Sequence, residues 1–263
     1  MMHTPMPVDV RLMNMTASVL FLTFALLVLG ALAAWAVGHP AWAVRGITVT
    51  GDVSHHNAAT LRANVAPHLQ GTFFTMDMGA ARHAFERLPW VRQAIVRREF
   101  PNRLKVVLEE HQAVAYWGPE SASTLVNHLG EVFEANVGEV DEDDLPRLFG
   151  PDGQATRVLA MYQSLAPAFE TLDMPLVQLD LTGHGGWRAR SDNGAVIELG
   201  GGTSEEVLAR TQQFFGTLTQ VTSRYGRKPD ALETADLRHP DGYAIRLGGV
   251  TTVTVDGLKK VTK

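Results

Sequence analysis

An α+β chain carried on one N-terminal membrane helix is the fold class this sequence predicts, and three observations predict it. Ala17 to Val37 contains no charged residue. The stretch from Arg45 to Glu110 then gives strand and helix signals in the order β-α-α-β-β. From Ala113 to Val250, alternating strands flank two long helical patterns, which predicts a mostly antiparallel sheet.

The apolar run comes first. At 1.5 Å per residue, Ala17 to Val37 reaches roughly 31 Å, about the thickness of a bilayer's hydrocarbon core. No Asp, Glu, Lys or Arg lies between Arg11 and Arg45, and Trp35 and Trp42 suit the far interface. A cleavable signal peptide is the competing reading, with Arg11 as its basic region and Ala31-Leu32-Ala33 or Ala34-Trp35-Ala36 as its cleavage site. The run exceeds the 7 to 15 residues such segments usually hold, so the sequence divides into a leader (1–16), a transmembrane helix (17–37) and a folded bulk beyond it. Gly30, Ala34 and Gly38 fall on one helical face, which reads either as small-residue spacing or as a packing face for another membrane helix.

Beyond the span, Ile47 and Val49 alternate with Thr48 and Thr50 until Gly51-Asp52 stops the strand. Asn57 is placed to cap a helix bearing Leu61 and Val65 and ending at Pro67. Asp77 caps a second, with Met78, Ala81, Phe85 and Leu88 on one stripe, and Pro89 closes it. Two strands follow, 91–100 and 104–110, joined at Pro101-Asn102. Trp90 is expected to pack helix on sheet, and Arg98 and Arg103 to be solvated strand-end charges.

The second folded part (113–250) follows the first (45–112) without a flexible linker. It opens on an extended segment, Ala113 to Trp117, and a hairpin turning at Leu129-Gly130. Val137 to Asp144 is an acidic loop without the ligand spacing of a calcium site. A helix runs from about Gln154, with Val158, Tyr162, Leu165 and Phe169 near one stripe, and Pro167 should kink or end it. Val177 to Leu181 reads as a strand, and Trp187 to Leu199 as a hairpin on Asn193-Gly194, a type I′ signal. Thr203 and Glu206 form a capping box for a long helix with Val207, Phe214, Leu218 and Val221 facing inward. Two closing strands, Leu232 to Arg238 and Tyr243 to Leu247, flank Pro240-Asp241-Gly242, and a basic tail (251–263) ends the chain.

Composition excludes several functions. A net charge of −5 without a basic stripe argues against nucleic acid. The absence of cysteine removes disulfides, thiolate metal sites and thiol nucleophiles. Gly183 to Gly186 and Gly200 to Gly202 lack phosphate-loop spacing, His55-His56 lacks a nearby carboxylate companion, and no nucleophile elbow is present. The expectation is a protein that binds, with no enzyme activity, metal or other cofactor.

Leu88-Pro89-Trp90-Val91 and Arg98 to Leu104, set in the β-α-α-β-β order directly after a membrane anchor, resemble a POTRA domain. Together with Leu145 to Gly153, Leu199-Gly200, Asp236-Leu237-Arg238 and Gly242, they make the chain similar to the FtsQ/DivIB cell-division family. The resemblance implies a single-pass inner-membrane protein at the division septum, with a cytoplasmic N-terminus and a periplasmic bulk. Its second sheet would end in an exposed edge strand, and it would recruit the FtsB/FtsL subcomplex by pairing that last strand with a strand of FtsB, link early and late division proteins, and help control septal peptidoglycan synthesis. Other division membrane proteins would meet the POTRA domain and the membrane helix.

Strand addition of this kind satisfies the free N–H and C=O groups of a sheet edge, while neighbouring side chains set specificity. The partner-binding candidates are therefore Arg238, His239, Gly242, Tyr243, Ile245 and Leu247. Arg238 is either a fork for a partner carboxylate or an ordinary ion pair with Asp236 or Asp241. Tyr243, Ile245 and Leu247 share one face, and are either contacts or core. The rival reading is a POTRA-bearing export or outer-membrane assembly factor, which would use the same edge physics but normally ends in a barrel of alternating strands.

Overall fold

The computed structural model describes residues 8–55, 58–140, 145–239 and 242–250. The chain divides between Glu110 and His111 into two compact units.

The first unit begins with α1 (Val8–Gly38), which starts nine residues ahead of the expected span because nothing in Asp9 to Thr16 breaks the helix. Thr16 Oγ1 turns back onto the Leu12 and Met13 carbonyls at 3.1 and 2.9 Å, a bond that hides a hydroxyl inside a helix. From Leu12 to Gly38 the helix is long and apolar enough to cross a membrane, and among the described residues none buries it.

Three strands form the first sheet: β1 (Gly46–Gly51), β2 (Val91–Glu99) and β3 (Arg103–Glu110), in the order β1-β3-β2. β3 is central, parallel to β1 and antiparallel to β2, and its Leu104, Val106, Leu108 and Glu110 point alternately inward. Against that face lie α2 (Ala58–Val65) and α3 (Met78–Glu86), through Leu61, Val65, Ala84 and Phe85. The cap expected at Asn57 falls outside the described residues. Asp77 Oδ1 does cap α3, accepting from the Gly79 and Ala80 amides at 2.7 and 3.1 Å, and those two donors hold its carboxyl below the usual range.

Two expectations in this unit need correcting. Arg98 is more than a solvated charge: its Nε and Nη2 donate to the Phe73 and Met76 carbonyls, each at 2.6 Å, tying the 73–76 loop to β2. His55 does have a carboxylate companion. Glu110 Oε2 lies 2.9 Å from its Nδ1, and the imidazole stacks on buried Trp90 at 3.9 Å. Their separation of 55 positions hides the pair from any local motif.

The second unit is built on nine strands: β4 (Ala113–Trp117), β5 (Thr124–Asn127), β6 (Val132–Glu134), β7 (Arg147–Phe149), β8 (Leu176–Leu181), β9 (Trp187–Ser191), β10 (Val196–Gly200), β11 (Leu232–Asp236) and β12 (Ala244–Leu247). Their order is β12-β11-β10-β9-β8-β7-β4-β5-β6. The pairs β10/β11, β7/β8 and β4/β7 are parallel, the others antiparallel. Two helices, α4 (Ala155–Glu170) and α5 (Ser204–Ser223), supply the crossovers before β8 and β11. Val158, Leu165 and Phe169 of α4 and Val207, Phe214 and Leu218 of α5 fill the core with Leu148, Leu179, Trp187 and Ile197.

Three local readings differ here. The link at Leu145 to Gly153 contains β7, whose Leu148 is fully buried between β4 and β8; three residues between Pro146 and Gly150 are too few to show alternation. Helix α4 runs three residues past Pro167, held there by Phe169, which is buried and meets Phe215 edge-on at 4.8 Å. The β9–β10 hairpin is no type I′ turn, since Gly194 takes positive φ and Asn193 does not. Gly194 N donates to Ser191 O at 2.9 Å and Ser191 N to Ala195 O at 3.1 Å, the pattern of a type I turn followed by a glycine bulge. The Thr203–Glu206 capping box forms as expected. Asp141 to Asp144 of the acidic loop, the Pro240-Asp241 turn and the 251–263 tail lie outside the described residues.

Candidate functional site

The expected binding residues gather at one end of the nine-stranded sheet. β12 is its terminal strand and, among the described residues, pairs only with β11. Asp236 stands opposite Ala244, Ala235 opposite Ile245 and Thr234 opposite Arg246, before a register shift brings Leu232 opposite Leu247. The strand's return is fixed by Gly248 N, which donates to Ala231 O at 2.8 Å.

The side chains of β12 alternate between core and solvent. Leu247 is buried, Ile245 and Tyr243 are half-buried against the same core, and Ala244 and Arg246 are exposed. Tyr243 is held twice: its ring meets Phe214 edge-on at 4.8 Å, and its hydroxyl lies 2.7 Å from Thr217 Oγ1. The open choice between contact and core thus goes to core for Leu247, with Tyr243 and Ile245 anchoring the strand to α5 and the sheet. Val196, Glu198, Thr234, Asp236, Ala244 and Arg246 on the other face, with Ala235 and Ile245 between them, surround a shallow depression of 270 Å³.

Arg238 follows β11 and closes on its own neighbour. Its Nε donates to Asp236 Oδ1 at 2.9 Å and its Nη2 to Oδ2 at 2.6 Å, while its backbone N–H donates to Oδ1 at 3.0 Å. These donors push the Asp236 carboxyl far below the ordinary range, and the carboxylate in turn raises the Arg238 guanidinium. The fork remains 62% exposed, so the pair is a surface clip. His239 and Gly242 are exposed, and a Cβ at Gly242 would meet nothing within 4 Å.

Sequence reasoning missed the support beneath Arg238. Gly200 ends β10 at φ 82°, and a Cβ there would sit 2.7 Å from Arg210 Nη1 and 3.1 Å from Arg238 Cγ. Arg210 donates to the Leu199 carbonyl and, at 3.3 Å, to that of Gly201. Leu237 N donates to Glu198 O at 2.8 Å, continuing the β10 ladder past the end of β11. The glycine was visible in the sequence; its partners on α5 and after β11 lie too far along the chain to be paired with it. Exposed ion pairs flank the site, Arg188–Glu198 at 2.6 Å and Arg246–Glu233 at 2.8 Å. Among the described residues, no group of three His, Asp or Glu side chains is placed to hold a metal.

This arrangement offers a backbone ladder on an edge and one charged face. Comparison with known proteins gives it a family. The model for the POTRA domain of FtsQ type matches residues 43–111, and that for the C-terminal part of the cell division protein FtsQ/DivIB matches residues 115–238, stopping just before β12. The chain is 40% identical over 247 residues to the cell division protein FtsQ of Burkholderia pseudomallei, covering 94% of this chain and 96% of that one. It is 38% identical to FtsQ of Thiomonas arsenitoxydans, over 93% and 89% of the two chains, and 33% identical to FtsQ of Bordetella pertussis, over 91% and 92%. With both family models matching in chain order and relatives aligned over nearly their whole lengths, the chain belongs to the FtsQ/DivIB family of cell-division proteins.

Proposed function

We propose that this protein is a non-catalytic scaffold of the division septum that captures the FtsB/FtsL subcomplex by adding a strand of FtsB to β12. Through this link it joins early to late division proteins and helps control septal peptidoglycan synthesis. The observation that carries the reading is the position of β12: it ends the sheet and, among the described residues, has a ladder partner on one side only. An incoming strand finds its N–H and C=O groups there, with Ala244, Arg246 and the Arg238–Asp236 clip beside it.

In the same proposal α1 anchors the protein in the inner membrane once, with the N-terminus in the cytoplasm and both folded units in the periplasm. Further division membrane proteins meet the POTRA domain and α1. Arg238, His239, Gly242, Tyr243, Ile245 and Leu247 act as the partner-binding set in two ways. Arg238, His239 and Gly242 face the partner, and Tyr243, Ile245 and Leu247 hold the edge in place.

The test is capture of purified FtsB/FtsL by the full chain in detergent, wild type against Arg238→Glu. Wild-type capture lost in a variant with an unchanged unfolding temperature supports the reading. A wild-type chain that captures neither partner overturns it and moves the export-factor reading ahead.

A further inference from the structure

We propose that the POTRA unit does not hang free below its anchor but seats an aromatic tip in the membrane interface, through Phe74 and Phe100 with Trp42. The proposal rests on α1 crossing a bilayer. Three contacts bring the tip to the end of that helix. Thr72 Oγ1 donates to the Val37 carbonyl at 2.9 Å, Phe73 N donates to the Trp42 carbonyl at 2.7 Å, and Arg45 N donates to the Asn102 carbonyl at 2.9 Å. The 72–76 loop and the β2–β3 turn therefore both lie where the helix leaves the hydrocarbon.

At that place the rings form a continuous run. Trp42 and Phe74 meet edge-on with centroids 5.0 Å apart, Phe74 and Phe73 at 5.2 Å, and Phe73 and Phe100 at 6.3 Å. Phe73 is buried and forms the base, whereas Phe74 is 46% and Phe100 74% exposed. Arg98 fixes the same loop by its two bonds to the Phe73 and Met76 carbonyls, so the rings are held by side-chain bonds as well as by packing. Two exposed phenylalanines on rigid supports beside the end of a membrane helix fit the depth at which aromatic rings settle at the headgroups. Arg45 adds a cation at this level. Among the described residues its side chain has no ion pair, and Glu99 stands opposite Arg103 across the ladder, which leaves Arg45 to meet lipid phosphate.

The chain has no cysteine, so single spin labels report depth in the full protein in lipid nanodiscs. One label goes at Asn102→Cys, beside the tip with both phenylalanines intact. A second goes at Gln93→Cys, exposed at the far end of the sheet, opposite Glu109, which is seven residues or roughly 23 Å from position 102 along the chain. A third, at Leu26→Cys, reports on α1. The proposal expects the label at 102 to lose accessibility to a water-soluble nickel complex relative to 93 while gaining it to oxygen. Phe74→Asp with Phe100→Asp should restore aqueous accessibility at 102, with the label at 26 still in lipid. Equal nickel accessibility at 102 and 93, or no response to the double substitution, overturns the proposal. A label at 26 that reads as aqueous overturns the membrane anchor itself, which separates the two failures.

Discussion

The two ends of the nine-stranded sheet are topologically alike and chemically opposite. β6 closes one end with three residues, β12 the other with four, and among the described residues each pairs with one neighbour. At β6 the hairpin is sealed from within. Buried Asn127 accepts from the Leu129 and Glu131 amides at 3.0 and 2.9 Å and donates to Glu131 Oε2 at 2.7 Å. His111 stacks on Phe133 beside it at 4.1 Å. At β12, by contrast, side chains behind the strand hold it while charges line its open face. In the proposed reading the edge that binds is the one held from behind and marked by charge, whereas the Asn127 bonds at the other end fix the turn beside β6.

The largest effect should come from breaking the sealed end. Asn127→Ala leaves two turn amides without their acceptor at a buried position, a loss of roughly 3 kcal/mol. Urea unfolding of the second unit's transition would measure it. If the two ends are independent, capture of FtsB/FtsL at low denaturant should remain intact in this variant.

The next comparison places one proline at each end. Ile245→Pro removes a donor and some packing from the edge proposed to bind, and should weaken capture by about tenfold or more, equivalent to about 1.4 kcal/mol. Val132→Pro at β6 should leave capture unchanged. Equal losses at both ends would mean that proline acts through general destabilisation and would remove the special status of β12. A finer cut is Tyr243→Phe, which keeps the ring on Phe214 and deletes only the hydroxyl bond to Thr217. It should cost about 1 kcal/mol of stability.

How much of this was legible follows from how far each signal travels along the chain. The Asp77 cap, the Thr203–Glu206 box and the alternation of Leu104, Val106 and Leu108 are local patterns, and each produced its element. The Tyr243, Ile245 and Leu247 face was visible too, as an alternation whose inward direction only the position of α5 decides. β7 was not visible, because a three-residue parallel strand owes its existence to β4 and β8, which flank it in space and lie far from it in sequence. The same holds for Gly200 under Arg210 and Arg238, and for His55 against Glu110. Asn193 shows the converse, a strong local signal overruled by the glycine bulge, while Pro167, expected to kink or end its helix, does not end it.

The smallest expected effect separates two uses of Arg238. Because its donors depress the Asp236 carboxyl, the clip's contribution is complete above the ordinary carboxylate range, fades progressively as pH falls below that range, and is gone once pH passes the lowered native value. A carboxyl NMR titration should therefore find Asp236 ionised after exposed carboxylates have protonated, and Arg238→Gln should return it toward them. At neutral pH, then, the guanidinium already has a carboxylate, and a partner acid gains only by exchange. If FtsB takes the fork, Asp236→Asn frees it and should tighten capture by about threefold, under 1 kcal/mol, as suits an exposed pair. If Asp236 instead holds the end of β11 in the shape that presents β12, the same substitution should weaken capture, and Arg238→Gln should weaken it equally. Opposite signs for the two variants make Arg238 a contact, whereas matching signs make the clip part of the frame.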